Sequence, residues 1–357
     1  MTNSTITNNR GIALLITLAV ITLLIAVGIE INRKVRSYVA ATYTNRNHMA
    51  LVHLASSGTN AAMAILVKDR QESDTDALVE AWADPEKIAA VLDDIPFENG
   101  KVALVISDEL SRIQVNALVE YPGGHKFNDR QRIIWEQLLH SFSQLNEAFE
   151  EIDSPTIINS AKDWIDSGDD EAITGLTGAE SDYYQGLDPP YTCRNSPFLH
   201  ITELGLVRGV SKELLHGTDQ TLGILDYLTV FGVSAPDGGN AAYAGKINLN
   251  TADPVVIAAI LPLEHKEKAL SIFDYRQQLI EADNVEAFKK PDWYKDAPGC
   301  SEIKIDPDLL TVSSDLFRIE ATAVLGDASL VVITRVRREK QKKTGRWTCN
   351  TLQWEIK

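Results

Sequence analysis

The chain has 357 residues, with 50 acidic against 34 basic side chains, and carries a formal net charge of −16 at pH 7. This balance argues against general nucleic-acid binding, which needs a basic surface to meet phosphate. Apart from one apolar segment, the length leaves about two domains' worth of polar chain, enough to bury a core of its own.

The first predicted element is an apolar helix over residues 12–29, directly after Arg10 and Gly11. The stretch has no charged residue, and at about 1.5 Å per residue it spans roughly 27 Å, close to the hydrocarbon thickness of a bilayer. We therefore expect a single-pass membrane helix, assigned to residues 12–31, that carries a large polar body.

Three kinds of N-terminus fit this segment. A cleaved secretory signal would use Arg10 as its charged start and residues 26–28 as its small-residue cleavage site. An ordinary signal anchor would stay uncut. A prepilin-type leader is short and polar, ends in a basic residue and glycine, and is cut after the glycine. In that case residues 1–11 form the leader and Ile12 is the first mature residue.

The helix is predicted to continue to about Val67, because no helix breaker appears before Gly58 and apolar residues recur at helical spacing. That gives a rod on the order of 80 Å, partly in lipid and partly amphipathic, which a signal peptide does not need. The basic cluster at residues 33–36 opposes a simple positive-inside orientation, since it outweighs Arg10.

Strand patterns lie on both sides of a mostly helical region at residues 128–288. Residues 101–106 and 112–118 predict a hairpin, and three more strands are predicted near the C-terminus, at residues 317–324, 329–336 and 346–356. This order predicts an α+β protein, in which a long N-terminal helix packs on a small antiparallel sheet and a large all-helical domain is inserted. The predicted limits are residues 32–126 and 305–357 for the α+β unit and residues 127–304 for the insert.

The three cysteines, Cys193, Cys300 and Cys349, form no C-x-x-C or zinc-binding pattern. They fit one disulfide plus an odd thiol in an oxidising compartment, and they fit three buried thiols equally well. Three pairings are possible, and the sequence does not choose among them.

An acidic segment at residues 163–188 is the best candidate for binding chemistry. It has eight carboxylates and no Lys or Arg, and clustered oxygen ligands on a loop suit Ca²⁺. The spacing is not that of an EF-hand, because counting from Asp166 places Glu171 at position six and Thr177 at position twelve. The alternative is a solvated acidic loop whose aspartates cap helices and close turns.

Catalytic and DNA-binding motifs are not evident. The seven histidines form no H-E-x-x-H, and no G-x-S-x-G, Walker A or G-x-G-x-x-G pattern occurs, so we do not expect an enzyme. The string INLNT at residues 247–251 also begins helix-hairpin-helix DNA-binding units. Here the following turn lacks the glycine that meets phosphate and carries Glu264, so packing is the preferred interpretation.

Seven strings in order make the chain resemble the K-type minor pseudopilin of type II secretion systems (general secretion pathway protein K). These strings are GIALLITLAVITLL at 11–24, SRIQVNALV at 111–119, DWID at 163–166, DYYQGLDPPY at 182–191, ITELGLVRGVS at 201–211, INLNTADPVVIAAILP at 247–262 and VSSDLFRIEA at 312–321. The resemblance implies a pilin-like domain with a helical domain inserted in it, which agrees with the order of predicted elements.

The resemblance also implies cleavage between Gly11 and Ile12 by the prepilin peptidase. Most prepilins carry glutamate five residues after the cut, K-type members lack it, and here the position is Ile16. The implied place is the tip of a periplasmic pseudopilus, on an inner-membrane anchor with the body in the periplasm. The implied partners are other minor pseudopilins, the major pseudopilin and the inner-membrane secretion platform, with no nucleic acid.

Members of this family bind calcium in the helical domain, which extends to this chain as an expected Ca²⁺ site in the acidic segment. The expected ligands are Asp166, Asp169, Asp170, Glu180 and Asp182. Two other functions stay open beside the pseudopilin interpretation: a signal-anchored periplasmic adaptor and, less favoured, a competence-type DNA-binding protein.

Overall fold

The computed structural model describes residues 9–97, 100–121, 124–145, 149, 152–168, 173–234 and 242–357. Its helices are α1 (Asn9–Glu72), α2 (Pro85–Asp93), α3 (Asp129–Leu145), α4 (Ser154–Ile165), α5 (Ser181–Gln185), α6 (Lys212–His216), α7 (Pro254–Ile260) and α8 (Ala269–Glu281). Its strands are β1 (Lys101–Asp108), β2 (Ile113–Gln114), β3 (Gly217–Thr218), β4 (Thr221–Leu222), β5 (Leu228–Thr229), β6 (Val233–Ser234), β7 (Ala242–Tyr243), β8 (Ile247–Asn248), β9 (Leu310–Thr311), β10 (Leu316–Leu325), β11 (Ala328–Lys340) and β12 (Trp347–Ile356).

The long N-terminal helix α1 has 64 residues, which corresponds to roughly 96 Å of rod. Its first part exposes apolar side chains all round, and by length and composition it is able to cross a membrane. From Leu51 onward one stripe becomes buried, at Leu54, Ala55, Ala62 and Leu66. The predicted helix is therefore confirmed and ends a few residues beyond the expected Val67.

The buried stripe of α1 packs on a four-stranded antiparallel sheet in the order β1-β10-β11-β12. Strand β10 alternates as the pleat requires, with Phe317, Ile319, Ala321 and Ala323 buried towards the helix. The intervening side chains, such as Arg318, point to the other face. This is the predicted α+β architecture, a long helix on a small antiparallel sheet, and that fold prediction is confirmed.

The predicted hairpin between residues 101–106 and 112–118 is wrong. Strand β1 pairs with β10 over its whole length, from Lys101 opposite Val324 to Asp108 opposite Phe317. The chain then turns away, because the Asp108 side chain caps the following 3-10 turn at Leu110. Residues 113–119 are buried at every position, which is the pattern of a segment covered on both faces.

A second and larger core is formed by the insert, around α3, α4, α7 and α8. Four two-stranded pairs, β2-β5, β3-β4, β6-β7 and β8-β9, accompany these helices, so the insert is mainly but not entirely helical. This core also takes in Ala77 and Val79, just beyond α1, and Ile113 and Leu118. Packing of the insert thus starts before residue 127, the predicted limit, and it sits at the C-terminal end of the α1 rod.

Candidate functional site

The predicted processing residues lie at the start of α1. A Cβ added to Gly11 would meet no atom within 4 Å, so nothing in the folded chain requires glycine at that position. Ile12 and Ile16 are both exposed on the apolar part of the helix. A glycine inside a helix costs about 1 kcal/mol relative to alanine, so its presence here has no structural explanation within the chain.

Three carboxylates of the acidic segment converge where α4 ends and α5 begins. Asp163 lies in the last turn of α4, Asp166 is its C-cap, and Glu180 is the N-cap of α5. One oxygen from each falls within 4.8 Å of the others, and the three side chains are 0%, 1% and 7% exposed. Asp163 and Asp166 share a helix face because they are three residues apart.

The segment at residues 174–178 packs closely against Asp163. Thr174 donates its backbone N–H to both carboxylate oxygens of Asp163, at 3.2 and 3.1 Å. A Cβ at Gly178 would lie only 2.1 Å from Asp163 Oδ2, so this position admits glycine alone. The returning segment is thereby held against the end of α4.

One basic side chain faces the three carboxylates. Lys162 Nζ lies 2.5 Å from Asp166 Oδ2 and 3.8 Å from Asp163 Oδ1. Burial raises the pKa of Asp163 above its ordinary value. Buried carboxylates in excess of their counter-charge are costly, and three carboxylate ligands are a donor set that suits a hard cation such as Ca²⁺.

The structure brings together two of the predicted ligands, Asp166 and Glu180, and adds Asp163. Asp182 is exposed in the first turn of α5 and is not a member of the group. Asp169 and Asp170 lie outside the described residues. Asp163 belongs to the acidic segment but is not among the predicted ligands, although the i, i+3 spacing in DWID is a signal that places it beside Asp166.

A second polar group joins the two cores, and the string INLNT supplies it. The Asn248 amide donates to the Asp76 carbonyl at 2.9 Å and to Asp108 Oδ2 at 2.8 Å. Thr251 Oγ1 donates to the same Asp108 oxygen at 2.7 Å, and Asn250 also donates to the Asp76 carbonyl. Both asparagines are fully buried, so they are not placed to meet nucleic acid.

The same junction continues into the sheet and α1 through one buried arginine. Arg338 of β11 donates to Asp69 Oδ2 at 3.1 Å, to Asp76 Oδ1 at 2.5 Å and to the Leu66 carbonyl at 2.9 Å. Burial raises the pKa of Asp76, raises that of Asp69 to about 7 and raises that of Asp108 to about 6. An unbroken series of hydrogen bonds thus connects the rod, the sheet and the insert.

The three cysteines are free thiols that lie in separate places. Cys193 and Cys300 are buried, and Cys349 is half-buried on β12. Burial raises the pKa of all three, to about 12 for Cys193 and about 11 for Cys349. The sequence left open one disulfide plus a thiol or three thiols, and the structure has three thiols.

Comparison with known sequences finds one family over the start of the insert. Residues 111–225 match the family described as type II secretion system, protein K. The type II secretion system protein K of Pseudomonas aeruginosa is 25% identical over 347 residues, 94% of this chain and 90% of that protein. Those of Klebsiella pneumoniae and Aeromonas hydrophila are 23% and 25% identical, over 76% and 57% of this chain. The match spans 74% of the K. pneumoniae protein and 60% of the A. hydrophila protein.

Comparison with solved structures finds the same fold. A chain in the crystal structure of the GspK-GspI-GspJ complex from the enterotoxigenic Escherichia coli type 2 secretion system matches with a TM-score of 0.60. The match covers 88% of this chain and 99% of that one, at 17% sequence identity. The fold is therefore shared over most of this chain.

Proposed function

We propose that this chain acts as a protein K of the type II secretion system, the family it matches. In that role it caps the tip of a periplasmic pseudopilus and helps to start its assembly for protein export across the outer membrane. The observation that carries the proposal is the place of the insert. Its core takes in Ala77 and Val79, directly beyond α1, so the insert crowns the rod at the end away from the apolar segment. A subunit of this shape ends a stack, because the insert occupies the space where the next subunit's body would pack.

Ile16 supports tip placement from the other end of α1. It stands on the exposed apolar part of the helix, at the position where most prepilins carry a glutamate that pairs with a neighbour's terminal amine. Without that partner, a carboxylate in lipid costs on the order of 3 kcal/mol. With isoleucine, the subunit offers no acceptor to a chain above it and still presents the Ile12 amine to a chain below.

The proposed partners are other minor pseudopilins, with the major pseudopilin below them. Beyond the predicted membrane part, α1 leaves a run of large apolar side chains exposed: Val35, Tyr38, Val39, Tyr43 and Met49. A contiguous exposed apolar surface marks an interaction site. The E. coli chain of the same fold was solved with GspI and GspJ, which makes the corresponding subunits the first to test.

The proposed location is the inner membrane, with α1 spanning once and the body in the periplasm. The prepilin peptidase would cut after Gly11, and the inner-membrane secretion platform would receive the mature helix. One helix among the described residues is long and apolar enough for this anchor. The proposed function lies in packing, with no catalytic step.

We propose Ca²⁺ as the cofactor of the insert, held by Asp163, Asp166 and Glu180. A bound cation would offset the mutual repulsion of three buried carboxylates, two of which lie beside Lys162. It would tie the end of α4 to the start of α5 and thereby fix the acidic loop between them. Asp169 and Asp170 stay proposed ligands from the sequence.

An assembly assay tests the proposed function. The pseudopilins of one system are expressed with and without this chain, and the pseudopili on the cells are counted. We expect far fewer pseudopili without the chain, and association of the chain with minor pseudopilins in detergent extracts. Unchanged pseudopilus numbers together with no such association would favour the signal-anchored adaptor. A stable complex with DNA at moderate salt would favour the competence-type alternative, which the charge of −16 opposes.

A further inference from the structure

A second group of three carboxylates lies at the junction, far along the chain from the acidic segment. It consists of Asp69 in the last turns of α1 and of Asp76 and Glu80 in the loop that follows. One oxygen from each falls within 4.8 Å of the others, and the side chains are 8%, 0% and 7% exposed. Oxygens that bind one Ca²⁺ at 2.3–2.6 Å lie at most about 5 Å apart, so the group has the right size.

Glu80 provides the observation that points to a ligand. Its Oε2 accepts from the Ala77 backbone N–H at 2.9 Å and from Trp82 Nε1 at 3.1 Å. Its Oε1 is buried and has no hydrogen-bond donor within 3.5 Å among the described residues, although the Ser73 side chain interacts with the Glu80 carboxylate. A buried carboxylate oxygen without a donor is costly, and a cation placed between Glu80 and Asp69 would remove that cost.

The charge count of the group leaves room for a divalent ion. Among the described residues, Arg338 is the guanidinium that forms ion pairs with this group, through Asp69 and Asp76, and the charge of Arg70 also acts on Asp76. Ser314 donates its backbone N–H to the other oxygen of Asp76, so the side of the group nearest Arg338 is filled. Three formal negative charges against these two positive ones leave a net negative charge, and Glu80 forms no ion pair among the described residues.

A cavity gives an ion access to that side. It has a volume of about 470 Å³ and is lined by Asp69 and Glu80 together with Ser73 and the exposed Glu72 and Lys87. The cavity therefore reaches Asp69 and Glu80 from the solvent.

We propose that Asp69, Asp76 and Glu80 form a second divalent-cation site, of the oxygen-ligand type that takes Ca²⁺, at the junction between the rod and the insert. The site goes beyond the proposed function and is separate from the Ca²⁺ site of the acidic segment. A cation here links the end of α1 to the loop that Asn248 and Asn250 hold. It stabilises the connection through which the rod carries the insert.

Trp82 makes the proposal testable, because its indole is hydrogen-bonded to a proposed ligand and fully buried. The full-length protein in detergent micelles is titrated with Tb³⁺, an oxygen-seeking Ca²⁺ analogue, while luminescence is excited through tryptophan. We expect two bound ions and strong sensitised emission. Trp82→Phe keeps all three carboxylates, so it should still bind two ions and lose the emission of one.

Two variants separate the sites. Glu80→Gln should remove one bound ion and the Trp82-dependent emission, and should weaken Ca²⁺ competition at that site at least tenfold. Glu72 lines the same cavity but lies outside the group, so Glu72→Gln should leave the number of bound ions and the Trp82-dependent emission unchanged. Glu180→Gln should remove the ion of the acidic segment and leave the Trp82-dependent emission intact, so each site can fail without the other.

Trp82-dependent emission that is absent in the unmodified protein, or that is unchanged in Glu80→Gln, would overturn the proposal. The junction would then be balanced by a proton on Asp69 or Glu80. If Glu80→Gln does not fold, the Trp82→Phe comparison still decides, since unchanged emission there excludes an ion beside the indole.

Discussion

At the scale of single residues, the proposed cation site of the insert depends on three buried carboxylates. Asp163, Asp166 and Glu180 are drawn together by the end of one helix and the start of another, and Gly178 leaves space for the contact. Two of the three could be predicted from the sequence because acidic residues without basic neighbours stand out. The third, Asp163, shares a helix face with Asp166 by its i, i+3 spacing, but its burial depends on Thr174 returning to the helix end, which no local pattern indicates.

Calcium should stabilise the insert through this group. A ligand that binds only the folded form adds roughly 2.7 kcal/mol at a hundredfold excess over its Kd. We expect a higher melting midpoint of the full-length protein in calcium than in chelator, and a clearly smaller difference in Asp166→Asn. Asp182→Asn is the matched control, because Asp182 is exposed and outside the group. A calcium-dependent shift that keeps its full size in Asp166→Asn would contradict the assignment of Asp166 as a ligand.

Asp108 should make stability depend on pH. Burial raises its pKa from 3.8 to about 6 in the folded chain, so the folded form holds the proton more tightly. Its contribution is fully present below pH 3.8 and is lost as pH rises through 6, by up to about 3 kcal/mol. Denaturant unfolding between these pH values should show a shallower loss of stability in Asp108→Asn. Asp327→Asn, on an exposed turn, should keep the original slope, and an equal slope in both variants would contradict the assignment.

Among the elements, those defined by local patterns were predictable and those that depend on distant partners were not. Strands β10, β11 and β12 lie within a few residues of their predicted limits, because each alternates on a half-buried sheet. Strand β1 was predicted correctly, but its pairing partner was not. It pairs with β10, more than two hundred residues along the chain, and no local signal favours that partner over the adjacent segment.

The INLNT segment shows the same limit. Its asparagines are predictable as packing residues, yet the contact of Asn248 with Asp76 joins positions 172 residues apart. Replacing Asn248 by Ala removes two buried hydrogen bonds, one to the Asp76 carbonyl and one to the Asp108 carboxylate, which should cost about 2–4 kcal/mol although Asn250 and Thr251 still donate to these acceptors. Asn350→Ala removes an exposed amide on β12 and should cost well under 1 kcal/mol. Denaturant unfolding of both variants measures the difference, and equal costs would mean that the junction is not a stabilising contact.

We predict that the chain is cut between Gly11 and Ile12, near the start of helix α1. A side chain at Gly11 would meet no other atom, so the glycine fits the proposed recognition by a prepilin peptidase. N-terminal sequencing of the mature protein should read Ile12 first, and Gly11→Ala should be cut better than variants with larger side chains. A mature start at Ile29 would indicate a secretory signal, and an intact Met1 would indicate a plain anchor.

At the scale of the whole molecule, a rod with a membrane-type start ends in a bulky insert, and the two are joined by buried hydrogen bonds. Arg338 and Asp76 connect α1 to the sheet, and Asn248 and Asn250 connect both to the insert. These buried hydrogen bonds oppose movement of the insert relative to the rod. Such resistance would suit the proposed role at the tip of a fibre.

The most direct test is to see where this chain sits in assembled pseudopili. Antibodies against the insert, labelled with gold, are applied to pseudopili sheared from cells that express the whole set of pseudopilins. We expect one label at one end of each fibre, with no label along the shaft. Labels spaced along the fibre, or fibres that never carry one, would contradict the tip assignment.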